Sequence, residues 1–120
     1  TILLVEDEPD LRRLVREVLR THGYAVLQAG TAREALRLCE QHLGPIHLFL
    51  TDIVLPHMSG RALASRATTL RPGMRVLYMS GYSDTLASPG EALEEETPFL
   101  QKPFAPDVLL AKVRDVLDQA

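Results

Sequence analysis

Two rhythms of apolar positions alternate along this chain. The opening run Ile2, Leu3, Leu4 and Val5 is continuously apolar, which suits a strand buried on both faces of a parallel sheet better than one lying half in solvent. Behind it Leu11, Leu14, Val15, Val18 and Leu19 recur at the spacing of one helical face, with Asp7 or Glu8 as cap, Pro9 in the first turn and Gly23 as the stop. Ala25 to Ala29 reads as a second strand, Thr31 as the cap of a helix carrying Ala32, Ala35, Leu36 and Cys39, and Gly44-Pro45 as the break before a third strand, Ile46 to Thr51. Pro56 and Gly60 punctuate the loop after Asp52 and lead into a helix bearing Leu63, Ala64 and Ala67, after which Arg71-Pro72-Gly73 turns the chain into a fourth strand, Met74 to Met79. Pro89-Gly90 interrupts the helical pattern between Asp84 and Glu96 and predicts a short or broken helix there. Phe99 to Gln101 reads as a fifth strand, and Pro106 opens a last helix with the apolar set Leu109, Leu110, Val113, Val116 and Leu117.

Strand and helix alternate five times, which requires crossover connections and a parallel sheet covered on both faces: a three-layer, doubly wound α/β domain. The 120 residues make one such domain, residues 1–120, and an eight-stranded βα barrel would need roughly twice that length. Composition agrees, because 46% hydrophobic residues suffice for a core without disulfide or metal staples. Charge narrows the partners. The 13 Lys and Arg are scattered among 16 Asp and Glu, a net of -3, so no basic surface for nucleic acid is indicated. Cys39 falls on the apolar side of its helix as a small buried hydrophobe, which fits a reducing compartment. No apolar run approaches the roughly 18 residues of a membrane span, and the acidic turn after Val5 excludes a signal peptide, so a cytoplasmic location with no direct membrane contact is expected. Thr1 stands where an initiator Met would, which suggests a piece of a longer protein.

In open sheets of this class ligands bind outside the carboxyl ends of the strands. The residues found there are Glu6 and Asp7 after the first strand, Asp52 after the third, Ser80 after the fourth and Lys102 after the fifth. Taken singly, each has a plain reading: Glu6 and Asp7 suit a helix N-terminus, Ser80 a turn, Lys102 an exposed surface. Asp52 is harder to dismiss, since a carboxylate at the end of a hydrophobic strand is costly without a partner. Together they offer an oxygen-rich site for a hard divalent cation such as Mg²⁺, with Asp7 and Asp52 as direct ligands, Glu6 acting through water and the Val54 carbonyl as a further oxygen. Lys102 and Ser80 would hold a phosphoryl group, and Asp52 is the candidate nucleophile, so the chemistry indicated is phosphoryl transfer.

The segments LLVEDEP, LTDIVLPHMSG, YMSGYS and LQKPF, in this order, resemble those of response-regulator receiver domains, the phosphoacceptor modules of two-component signalling, and the resemblance covers essentially the whole chain. It implies a flavodoxin-like (βα)5 domain with a five-stranded sheet in the order 2-1-3-4-5. It implies Glu6 and Asp7 as the acidic pair for Mg²⁺, Asp52 as the phosphorylated residue, Ser80 as the switch hydroxyl, Lys102 as the phosphate-contacting lysine and a cis peptide before Pro103. Phe99 takes the position of a switch aromatic but has no hydroxyl, and packing in the core is its plainer role. Val54 and Tyr82 stand where rapidly hydrolysing relatives carry polar residues, so slow self-dephosphorylation, over hours, is expected. The implied partner is the phosphohistidine domain of a sensor kinase or phosphotransfer protein, and the SGYS and LQKPF contexts resemble the receiver of a hybrid sensor histidine kinase more than a stand-alone or transcriptional regulator.

Other readings fit less well. An aspartyl-phosphate hydrolase of another α/β fold usually needs a DxD pattern after the first strand, and Glu6-Asp7-Glu8 lacks it. A degenerate, purely protein-binding receiver would have lost an acid, Ser80 or Lys102, and none is lost. A nucleotide-binding domain wants a glycine-rich first turn, whereas VEDEPD has no glycine. His22, His42, His47 and His57 have no metal-ligand spacing. Met58 and Gly60 are expected to shape the acceptor loop, and Glu94 to Glu96 to form a solvated face.

Overall fold

The computed structural model describes residues 1–56, 58–80 and 99–118. Within them the elements are β1 (Ile2–Val5), α1 (Pro9–Thr21), β2 (Val26–Ala29), α2 (Ala32–Gln41), β3 (Leu48–Asp52), α3 (Gly60–Leu70), β4 (Arg75–Ser80), β5 (Phe99–Gln101) and α4 (Pro106–Asp118). All strand pairs are parallel, in the order β2-β1-β3-β4-β5. This is the doubly wound order expected for a flavodoxin-like (βα)5 domain. The broken helix expected between Asp84 and Glu96, with Pro89-Gly90, the acidic run Glu94 to Glu96, Gly81, Tyr82 and His57, lies outside the described residues.

The continuous apolar runs become strands because both faces of the sheet are covered. Successive residues of β1 enter opposite cores: Leu3 and Val5 pack with Phe49 and with Ala35, Leu63 and Ala67 of α2 and α3, while Ile2 and Leu4 pack with Leu48, Leu50, Leu77 and Met79 against α1 and α4. That alternation is the pleat of a strand expressed in a three-layer fold. Burying a Leu or Phe of this kind contributes roughly 1.5–3 kcal/mol. Cys39 lies in the first core as expected.

At α2 and α3 the helix N-terminus follows the local chemistry. The Thr31 hydroxyl accepts from the Glu34 N–H and the Ser59 hydroxyl from the Ala62 N–H, capping α2 and α3. Glu8 stands at the N-cap of α1 but makes no side-chain cap bond, so Pro9 and the acidic first turn start that helix without one. Gly23 and Gly73 adopt φ of +93°, the left-handed turn that a side chain would strain. Several strand limits also differ from the sequence reading: β2 and β4 start one residue later, at Val26 and Arg75, Ile46 precedes β3 while remaining buried, and Asp52 and Ser80 close their strands from within rather than following them. Leu14, read on the same apolar helical face as Val15 and Leu19, is 57% exposed. No helix among the described residues is long and apolar enough to cross a membrane.

Candidate functional site

The carboxyl edge of the sheet gathers the polar residues that the strands would otherwise bury at a loss. Glu6, Asp52 and Ser80 are fully buried, and Asp7 beside them is exposed. β1, β3 and β4 deliver them in register, since Val5 pairs with Thr51 and Asp52 with Met79. β5 adds the neighbouring strand end, where Ser80 pairs with Gln101 and the Lys102 N–H donates to the Ser80 carbonyl at 2.7 Å. The Lys102-Pro103 peptide is cis, as the resemblance implied.

Lys102 spans the site. Its ammonium forms an ion pair with Asp52 Oδ1 and lies 3.3 Å from Glu6 Oε2. Asp52 Oδ1 accepts no directed hydrogen bond among the described residues, so one ammonium serves two buried carboxylates. Burial above all, and then the neighbouring Glu6 carboxyl, push the Asp52 pKa up to about 8 against the opposing pull of Lys102. Burial alone would lower the Lys102 pKa, but the Asp52 and Glu6 carboxylates outweigh it and hold it above the usual lysine value. Among the described residues the site is short of positive charge.

Glu6, Asp7 and Asp52 each present a carboxylate oxygen, and the three oxygens lie within 4.8 Å of one another. An all-oxygen, acidic trio at this spacing is compatible with a hard divalent cation, which would relieve the charge imbalance. The loop after Asp52 is held tightly: Val54 and Ser59 form an antiparallel bridge, and the Gly60 N–H donates to the Ile53 carbonyl at 2.5 Å. A Cβ at Gly60 would overlap the Asp52 carbonyl, which explains why this loop position has no side chain. Val54 projects its side chain to solvent, 53% exposed, at the rim. Phe99 pairs in register with Tyr78 and is partly buried against the core shared with α2 and α3. His22 and His47 are exposed and His42 partly so, at separate places on the surface.

One neighbour of the site is not apparent from the sequence. Arg12, on the first turns of α1, donates from Nη1 to the Glu6 carbonyl at 2.8 Å. Its position six residues after Glu6 follows no motif, and only the folded arrangement brings the two groups together.

The chain belongs to the response regulator receiver domain family, whose model matches residues 2–114. It is 30% identical over 119 residues to the sensor kinase CckA of Brucella abortus (strain 2308), a match covering 99% of this chain and 13% of that protein. It is 34% identical over 103 residues to the response regulator receiver protein CpdR of the same organism, covering 86% of this chain and 84% of that protein. The crystal structure of the receiver domain of NtrX from Brucella abortus superimposes with a TM-score of 0.84 at 28% identity over 100% of both chains. The acidic cluster of Glu6, Asp7 and Asp52 therefore sits on a receiver fold and is consistent with the phosphoaspartate and metal site of phosphorelay receivers.

Proposed function

We propose that residues 1–120 form a phosphorelay receiver that takes a phosphoryl group from a phosphohistidine onto Asp52. The observation that carries this reading is the convergence of Glu6, Asp7 and Asp52 within 4.8 Å, with Lys102 ion-paired to Asp52. An ionised Asp52 oxygen attacks phosphorus as the bond from phosphorus to the donor imidazole nitrogen breaks; with the other ring nitrogen of the phosphohistidine protonated, the bonding pair returns to the ring and a neutral imidazole leaves, with an acyl phosphate formed on Asp52. Lys102 turns from the carboxylate to the transferred phosphoryl oxygens, and Ser80 contributes its hydroxyl to them. Asp7 and Asp52, the Val54 carbonyl, and Glu6 through water would hold Mg²⁺, which supplies charge neutralisation between the acids and the incoming phosphoryl group. Phosphorylation then biases a second conformation through Ser80 and Phe99.

The donor in this reading is the phosphohistidine domain of a sensor kinase or phosphotransfer protein. Similarity to CckA and CpdR supports such a partner, and the parent is read as a hybrid sensor histidine kinase acting from the cytoplasmic side. The domain catalyses its own phosphorylation and a slow dephosphorylation. Incubation with Mg²⁺ and a small phosphodonor should add one phosphoryl group by intact mass, and Asp52→Asn should abolish the gain. Equal phosphorylation of Asp52→Asn would refute the acceptor assignment. With the exposed, apolar Val54 side chain at the rim and Tyr82 two residues beyond Ser80, the acyl phosphate should decay over hours in Mg²⁺. A half-life of seconds for the purified phosphorylated domain would sink that expectation.

A further inference from the structure

We infer that Arg12 is a positioning residue for the cation site, fixing the Glu6–Asp7 peptide from the side of α1, and that Gly30 is the space that admits it. The inference rests on the cation site proposed above. Glu6 directly follows β1 and is the last buried residue before α1, and its backbone is gripped on two sides. Its N–H donates to the Ala29 carbonyl at 3.1 Å, and its carbonyl accepts from Arg12 Nη1 at 2.8 Å. That carbonyl belongs to the peptide joining Glu6 to Asp7, so the guanidinium fixes the plane from which the exposed Asp7 carboxylate departs.

Gly30 completes the arrangement. The residue follows Ala29 at the end of β2, and its φ lies outside the left-handed region, so its conformation does not demand glycine. What occupies the place of its side chain is Arg12: a Cβ there would stand 2.7 Å from Nη1 and 3.5 Å from the guanidinium carbon. The end of β2, the first turns of α1 and the acidic pair are thereby joined through one guanidinium. Groups that orient metal ligands in this indirect way commonly change metal affinity about 10–100-fold when removed.

Position and charge predict opposite results here. A guanidinium near a divalent cation repels it, so if charge were its only influence, removing Arg12 would tighten binding. If orientation dominates, removing Arg12 weakens binding, and so does Gly30→Ala, which leaves the charge in place while pushing the guanidinium off the Glu6 carbonyl.

The test is a double-mutant cycle on Mg²⁺ affinity, measured by titrating the metal alone and following backbone amide shifts of the wild type, Arg12→Gln, Gly30→Ala and the double variant. Urea unfolding of each accompanies it. The expected result is a roughly tenfold weaker affinity in each single variant and no further loss in the double. Unchanged affinity in Gly30→Ala, or tighter binding in Arg12→Gln, overturns the inference, and so does a loss of stability with affinity intact. Failure of the wild type to bind Mg²⁺ would instead refute the cation site itself, and the inference with it.

Discussion

The two edges of the sheet each carry a cation that reaches across several chain segments, and they use it in opposite ways. At the amino edge Arg71, which ends α3, donates from Nε to the Cys39 carbonyl at 2.9 Å, from Nη1 to the Gly44 carbonyl at 2.5 Å, and from Nη2 to the His42 carbonyl. These are backbone carbonyls at and after the last turn of α2, so the charge is spent completing a helix end. At the carboxyl edge Lys102 meets two buried carboxylates, donating to Glu6 Oε2 and pairing by charge with Asp52 Oδ1. At one edge the cation is used up on backbone carbonyls, and at the other, among the described residues, one ammonium faces two buried carboxylates. A deficit of that kind costs stability in the empty domain and is recovered when a cation binds.

Replacing each cation should separate the two roles. Lys102→Met should slow phosphorylation of Asp52 by a small phosphodonor about 10²-fold or more, because a preorganised donor to the phosphoryl oxygens is lost. Time-resolved intact mass checks this, and uptake at the wild-type rate would contradict the role given to Lys102. Arg71→Ala should do the reverse, lowering stability in urea by about 1–3 kcal/mol through the loss of three hydrogen bonds to the end of α2 while changing the phosphorylation rate less than about twofold. A large kinetic effect there would show that the edges are coupled.

The smallest expected effect is the pH dependence without metal. The Asp52 pKa is raised from 3.8 to about 8 on folding, so between these values the folded protein holds a proton that the unfolded chain has lost. Stability from this group therefore falls as pH rises through that window and levels off above it. Lys102, raised above 10.5, contributes stability that is fully present throughout the window and is lost only at higher pH. In EDTA the domain should lose stability progressively between pH 5 and 8, Asp52→Asn should flatten the slope, and Mg²⁺ should oppose it by favouring the ionised carboxylate. Urea midpoints across the pH series decide the matter, and an identical slope in Asp52→Asn would rule out Asp52 as its source.

Much of the fold was legible in the sequence because it is written in short-range patterns. Runs such as Ile2 to Val5 are apolar without interruption only where both faces are covered, and Thr31 and Gly23 mark helix ends through bonds and backbone conformations that involve a few neighbouring residues. The candidate site was legible for a related reason: a βα fold returns each strand to the same edge, so Glu6, Asp7, Asp52, Ser80 and Lys102 could be assembled by noting what ends each strand. Leu14 shows the limit. Its helical spacing matches that of Val15 and Leu19, which are buried, yet how far the apolar stripe of α1 extends beneath cover depends on where α4 lies.

Sequence alone determined the alternation of elements, their parallel arrangement and the identity of the residues at the carboxyl edge, since periodicity and chain order are local properties. Only the tertiary structure decided how those residues are balanced. Lys102 is shared between Asp52 and Glu6, Gly60 lies against the Asp52 carbonyl, and Arg12 reaches the Glu6 carbonyl over Gly30. Each depends on distance and desolvation between segments far apart in the chain or on a side chain's path through packed space, and no spacing along the sequence encodes these.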